Sequence, residues 1–215
     1  MIISDSFLKA HLGHVYWIGG AGYGGKSTIA DLLADRHGLQ AYHPEDLFHE
    51  HKRSASPEDH PALTAPSHGW EWFFNRPTDE YVKAISDASR EQFQMVVLDL
   101  VKLGAHGNVV VEGCMIDPWF TTRVVDHNRA IFLYADAGTI AGGFFARADK
   151  QDMLAVIDTL EDPAKTRRHV LETICVASAR ARAEAEAAGV KVLVRGAETD
   201  LPGTLAAVEQ HLGLG

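Results

Sequence analysis

Apolar positions along this chain fall into short runs and long stripes that alternate. His14-Val15-Tyr16-Trp17-Ile18 is a compact run of strand-forming side chains closed by Gly19-Gly20. Ile29, Leu32 and Leu33 then repeat at helical spacing until Gly38 ends the pattern. Leu39-Gln40-Ala41-Tyr42-His43 predicts a short second strand that runs into Pro44-Glu45-Asp46. Further on, Tyr81, Ile85, Ala88, Phe93, Val96, Leu100 and Leu103 approximate one stripe of a long helix, opened by Thr78-Asp79-Glu80 and closed by Gly104 and Gly107.

Val109-Val110-Val111, Ala130 to Tyr134 and Val190 to Val194 read as three more strands. Helical spacing recurs over 140–147, 153–160, 164–188 and 201–212. Helices that alternate with short apolar strands imply a parallel sheet covered on both faces. The expected fold is therefore α/β, a single domain over 1–215 with three α/β/α layers and a five-stranded parallel sheet. Residues 49–77 break the rhythm. They are rich in His and Pro, carry Trp70, Trp72, Phe73 and Phe74, and predict a folded binding region in place of a linker.

The turn after the first strand carries the sharpest chemistry. Gly20-Ala21-Gly22-Tyr23-Gly24-Gly25-Lys26-Ser27 fits G-x-x-x-x-G-K-[ST], with a strand before it and a helix, through Thr28, after it. Glycines keep side chains away, so successive N–H groups can face phosphate oxygens while the new helix offers its positive end. Lys26 is expected to reach the outer phosphates, and the Ser27 hydroxyl to take a place on Mg²⁺. The motif predicts a bound nucleoside triphosphate, with the ligand at the carboxyl edge of the sheet.

Charge and cysteines narrow the partners. A balance of 20 basic and 29 acidic side chains gives a net charge of −9, which opposes non-specific nucleic-acid binding. Cys114 and Cys175 are too far apart in sequence to suggest a disulfide framework and fit reduced thiols in a cytoplasmic protein. Met1-Ile2-Ile3-Ser4-Asp5 has neither a basic start nor a long apolar run, so no membrane association is expected. The histidines between 43 and 68 lack regular ligand spacing and predict no metal beyond Mg²⁺.

With this motif at the start of a short chain and five parallel strands in prospect, the sequence resembles the small P-loop kinases of the P-loop NTPase superfamily. Shikimate kinase, gluconate kinase, chloramphenicol phosphotransferase and the nucleoside monophosphate kinases are the nearest in pattern. The strong match covers 15–37; beyond it the agreement lies in the order of elements. The guanine-reading Asn-Lys-x-Asp of GTPases is absent from the sequence.

The resemblance implies ATP and Mg²⁺, a substrate-binding insertion at about 47–82 and a lid at about 140–170. It implies an acceptor-facing carboxylate after the second strand, Asp46 with Glu45 beside it, although either residue could instead cap the next helix. Glu112 stands where a Walker B acid would hold Mg²⁺, and is also a candidate base or substrate ligand. Arg147 is the implied lid arginine, with Lys150 close behind and Arg167 and Arg168 weaker. Trp72 and Arg76 are implied acceptor contacts, Trp72 by stacking and Arg76 by charge, although the aromatics of this segment could instead anchor it onto the core. Gly196 and Ala197 fall where such a chain crosses adenine.

The expected activity is transfer of the γ-phosphoryl of Mg-ATP to a hydroxyl of a small-molecule acceptor. Lys26, Asp46 and Arg147 are the expected catalytic set, in a monomer or homodimer. Two alternatives remain open at this level: a nucleoside monophosphate kinase, and a nucleotide-gated ATPase or switch with no metabolite acceptor.

Overall fold

Val15 and Trp17 face one side of the first strand, Tyr16 and Ile18 the other, and all four are buried. A strand covered on both faces needs helices on both sides, and the computed structural model, which describes residues 4–196 and 200–215, supplies them. Helix α1 (Asp5–His11) leads into β1 (Val15–Gly20), α2 (Lys26–His37) and β2 (Gln40–Tyr42). Short helices α3 (Phe48–Ser54) and α4 (Trp70–Asn75) precede the long α5 (Thr78–Leu103). After these come β3 (Val109–Glu112), α6 (Pro118–Val124), β4 (Ala130–Ala135) and α7 (Ala137–Gly143). Two 3-10 turns, Phe144–Ala146 and Ala148–Lys150, connect to α8 (Gln151–Ile157), α9 (Pro163–Ala188), β5 (Lys191–Arg195) and α10 (Leu201–Leu212).

The five strands are all parallel, in the order β2-β3-β1-β4-β5. On one face Ile29, Ala30 and Leu33 of α2 and Leu205, Val208 and Leu212 of α10 pack on Tyr16, Ile18, Val110, Ile131 and Leu133. On the other, α1, α5, α6 and α9 bury Trp17, Val109, Val111, Phe132 and Tyr134. This is a three-layer α/β/α arrangement, with the glycine-rich loop leaving the central strand. A smaller cluster of Phe74, Ala135, Ile140, Phe144, Ile157 and Val170 joins α4, α7, α8 and α9 beyond the sheet edge.

Three local results differ from the sequence pattern. Helix α6 starts where Asp117 accepts from the Trp119 and Phe120 amides at 2.7 and 3.2 Å and Pro118 takes the first turn. That Asp-Pro signal is readable, but its single turn of apolar spacing is too short to stand out. Helix α1 has a comparable cap, Ser4 accepting from Phe7 N. The helix expected over 140–147 ends at Gly143, and the chain tightens into 3-10 turns that carry Arg147 outward.

Residues 49–77 are tied to α5. His51 Nε2 pairs with Asp99 Oδ2 at 3.0 Å, while Gln92 donates to His51 Nδ1 at 3.2 Å. Glu91 accepts from the Ala62 and Leu63 amides at 3.0 and 2.8 Å, capping the turn. Among the described residues, no helix is long and apolar enough to cross a membrane.

Candidate active site

The loop between β1 and α2 has its shape because two of its glycines lie against β4. A Cβ on Gly20 would come within 2.0 Å of Leu133 O, and one on Gly24 within 2.3 Å of the same oxygen. Gly20 and Gly25 also adopt φ of +127° and +86°, a region that side chains rarely tolerate. Tyr23 adopts φ +72° without being glycine, a conformation that costs about 1 kcal/mol and persists only where packing enforces it. A Cβ on Gly22 would meet nothing within 4 Å, so that side of the loop is open. Such a loop, ending at the first turn of α2, fits a polyphosphate.

Lys26 is buried, and its ammonium donates to Ala21 O at 3.0 Å and to Cys114 Sγ at 3.3 Å. Burial opposes its charge, but Cys114, Glu112 and Glu45 outweigh that and raise its pKa, so Lys26 stays protonated. Cys114 opens to the cleft yet lies deep between its walls. That enclosure pushes its thiol up, against the pull of Lys26.

Ser27 Oγ donates to Glu112 Oε1 at 3.0 Å. The register of β1 on β3 sets this contact, because Ile18 lies opposite Glu112 at the carboxyl edge. The same oxygen takes His43 Nδ1 at 3.1 Å, while His43 Nε2 meets Asp31 Oδ1 at 3.0 Å. Burial works against a charge on His43, but these two carboxylates raise its pKa overall. A hydroxyl beside a carboxylate is a hard oxygen pair, which suits Mg²⁺ with most of its water shell retained. Among the described residues, no group of three His, Cys, Asp or Glu side chains gathers to hold a metal by itself.

The loop opens into a cleft of about 750 Å³. Its walls are Tyr81 to Arg90 on α5, Cys114 to Pro118 after β3, and Ile174 to Glu184 on α9. Arg147, Lys150 and Arg195 also line it, with Arg147 and Arg195 beside the ring of Tyr23 in the loop. Gly20, Ala21, Gly22, Tyr23, Gly25, Lys26, Ser27 and Thr28 all line it.

Arg147 therefore reaches the cleft, though its guanidinium is held by Asp149 through bonds of 2.7 and 3.0 Å. Arg167, whose guanidinium pairs with Asp158, and Arg168 do not line it.

Other expected contacts are not brought together. Asp46 is exposed and does not line the cleft; Glu45, one residue earlier, does. The turn from His43 to Phe48, closed by Asp46 N to His43 O at 3.1 Å, gives the two neighbours different directions. Trp72 and Arg76 also lie outside the lining. Arg76 is buried in an aromatic cage, 4.9 Å from the Trp72 ring, 5.0 Å from Phe73 and 4.7 Å from Tyr81. Burial lowers its pKa, and the arginine anchors α4 to α5 instead of facing solvent. Ala197 lies outside the described residues.

Sequence reasoning did not single out His43 as a partner of Glu112, nor Cys114, Tyr81, Arg90, Arg180 or Arg195 as cleft residues. His43 and Arg195 each stand at the carboxyl end of a strand, the edge where α/β sheets take ligands, and that position was the available signal.

No family model matches the chain, and no curated protein matches it. Among solved structures it is similar to a candidate kinase from Chloroflexus aurantiacus at 12% identity and a TM-score of 0.47, over 94% of this chain and 99% of that one. It is also similar to shikimate kinase from Acinetobacter baumannii in complex with shikimate. That likeness has 15% identity and a TM-score of 0.42, over 98% of this chain and 96% of the other. Likenesses of this degree carry no residue roles across.

Proposed function

We propose that the protein is an ATP-dependent phosphotransferase that moves the γ-phosphoryl of Mg-ATP to a hydroxyl of a small molecule. One observation carries the reading. The loop, Lys26 and Ser27, whose hydroxyl donates to the buried Glu112 behind it, line a cleft of about 750 Å³ whose remaining walls come from α5, α9 and the segment after β3, which gives an acceptor a place beside the phosphates.

In this reading the backbone from Gly20 to Gly25 holds the phosphate chain, and Lys26 exchanges Ala21 O and Cys114 Sγ for phosphoryl oxygens. Ser27 and Glu112 would hold Mg²⁺, which would supply positive charge against that developing on the transferred phosphoryl group. Glu45 takes the place first given to Asp46. Its carboxylate orients the acceptor hydroxyl and accepts its proton as oxygen bonds to phosphorus and the bond to ADP breaks. Arg147 offers planar donors to the migrating group once it turns from Asp149. The chain acts as one cytoplasmic domain, with 47–82 as the acceptor-side insertion and 140–170 as the lid.

A phosphate acceptor, as in a nucleoside monophosphate kinase, is a second reading with its own support. Arg90 and Arg180 line the acceptor half, although each is paired with an aspartate, Asp87 at 3.7 Å and Asp79 at 2.7 Å.

Acceptor-dependent formation of ADP separates these readings. Purified protein with Mg-ATP is offered pools of hydroxylated metabolites, antibiotics and nucleoside monophosphates. A hydroxyl pool is expected to raise turnover over the water-only rate. Stimulation by monophosphates alone would favour the second reading, and none by any pool would leave a bare ATPase or switch.

A further inference from the structure

We infer that Arg195, at the end of β5, is a second phosphate-binding cation of the nucleotide site, and that Tyr23 is the residue that positions it. This deepens the nucleotide reading above and rests on it.

The backbone of Arg195 is fixed. It pairs with Ala135 in the sheet, and its carbonyl accepts from Asp136 N at 3.0 Å. From there its side chain crosses back over the phosphate loop. The guanidinium carbon lies 5.0 Å from the centre of the Tyr23 ring. A Cβ on Gly25, the residue that opens α2, would have the guanidinium Nη1 as its nearest neighbour, at 3.9 Å. Arg195 thus hangs over the point where loop N–H groups and the helix start converge.

Among the described residues no carboxylate pairs with Arg195, and its buried Nε has no hydrogen-bond partner. Arg147 differs. It sits on the same ring at 5.8 Å but is already engaged by Asp149. A guanidinium stacked on a ring keeps its outer N–H groups free for oxygen ligands, which is the geometry for bidentate phosphate binding.

Tyr23 is held in place from the opposite side. A Cβ on Gly143 would lie 1.6 Å from the Tyr23 hydroxyl oxygen, so only glycine lets α7 close on the ring. The left-handed backbone of Tyr23 turns its side chain outward from the loop into this slot. Ring, glycine and arginine therefore form one packed unit on the rim of the phosphate site.

The test uses the full chain with fluorescent analogues of ATP and with unlabelled adenosine as competitor, Mg²⁺ present. Arg195→Ala is expected to weaken ATP about 10- to 100-fold, the scale of one charge-assisted bidentate contact, with adenosine changed less than about twofold. Arg195→Lys, which keeps the charge and the fold but not the fork, is expected to fall between. Tyr23→Ala with Arg195→Ala is expected to lose less than the sum of the two single losses, because the ring acts through the arginine. ATP affinity in Arg195→Ala and Arg195→Lys within about twofold of the unchanged chain would overturn this inference alone, as would an equal loss for adenosine. Failure of the unchanged chain to bind ATP would overturn the nucleotide reading and this one with it.

Discussion

Ser27 Oγ and Glu112 Oε1 meet at 3.0 Å, joining the first turn of α2 to the end of β3 through one carboxylate oxygen. His43 holds the same oxygen from the far side. The Ser27–Glu112 pair is the proposed Mg²⁺ locus, and it separates metal affinity from phosphate affinity. Glu112→Gln keeps an acceptor for Ser27 but removes the charge. Its nucleotide affinity in Mg²⁺ is expected to fall about 10- to 100-fold, while affinity in chelator stays near that of the unchanged chain. Paired calorimetric titrations measure both, and an equal loss in both conditions would place Glu112 in a structural role.

Glu45 and Asp46 differ by one position and by their access to the cleft. Glu45→Gln is expected to cut acceptor-dependent phosphoryl transfer by about 100-fold or more, with ATP binding nearly intact. Asp46→Asn should stay within about threefold, the usual range for an exposed side chain away from the reaction. The reverse order in steady-state rates would restore Asp46 as the acceptor-facing carboxylate.

Gly24 tests the packing that shapes the loop. Its Cβ position lies 2.3 Å from Leu133 O, a backbone atom in a central strand that cannot move aside cheaply. Gly24→Ala is expected to destabilise the fold by about 1–3 kcal/mol and to weaken nucleotide binding. Thermal unfolding and a binding titration report the two effects, and a variant unchanged in both would contradict the loop geometry.

Asp99 links the pH dependence of stability to the anchoring of the 47–82 segment. Burial alone would raise its pKa, but hydrogen bonds from His51, Tyr42 and Lys102 prevail and hold the carboxyl below its ordinary 3.8. A depressed carboxylate stabilises the fold above its unfolded pKa and loses that contribution as pH falls through the folded value. Asp99→Asn is therefore expected to be less stable than the unchanged chain at pH 7, by about 1–2 kcal/mol. The gap should narrow as pH drops below 3.8 and level off once it is under the depressed folded value, where Asp99 is protonated in both states. Denaturant unfolding across that range measures it, and a gap that widens toward acid would reverse the assignment.

The sheet was readable because its strands are near-continuous apolar runs and its loop carries an unmistakable glycine pattern. Gly20-to-Ser27 and Glu112 needed only local order: strand, turn, helix, strand end. The cleft walls were harder. Tyr81 and Arg180 lie far apart in sequence, and only the packing of two 26-residue helices brings them to one space.

At Trp72 and Arg76 the sequence leaves two outcomes open for a related reason. An aromatic cluster beside an arginine has the same composition whether it grips a ligand or its own guanidinium. The cage around Arg76 shows the second outcome. Likewise Glu45 and Asp46 share a composition, and a turn of a few residues decides which of them faces inward.

The central claim is that the loop around Lys26 holds the phosphates of a nucleoside triphosphate. Calorimetry of the full chain with a non-hydrolysable ATP analogue and Mg²⁺, repeated on Lys26→Ala, tests it most directly. Saturable binding at one site that Lys26→Ala abolishes is the predicted result. No detectable uptake, or an affinity that Lys26→Ala leaves unchanged, would contradict it.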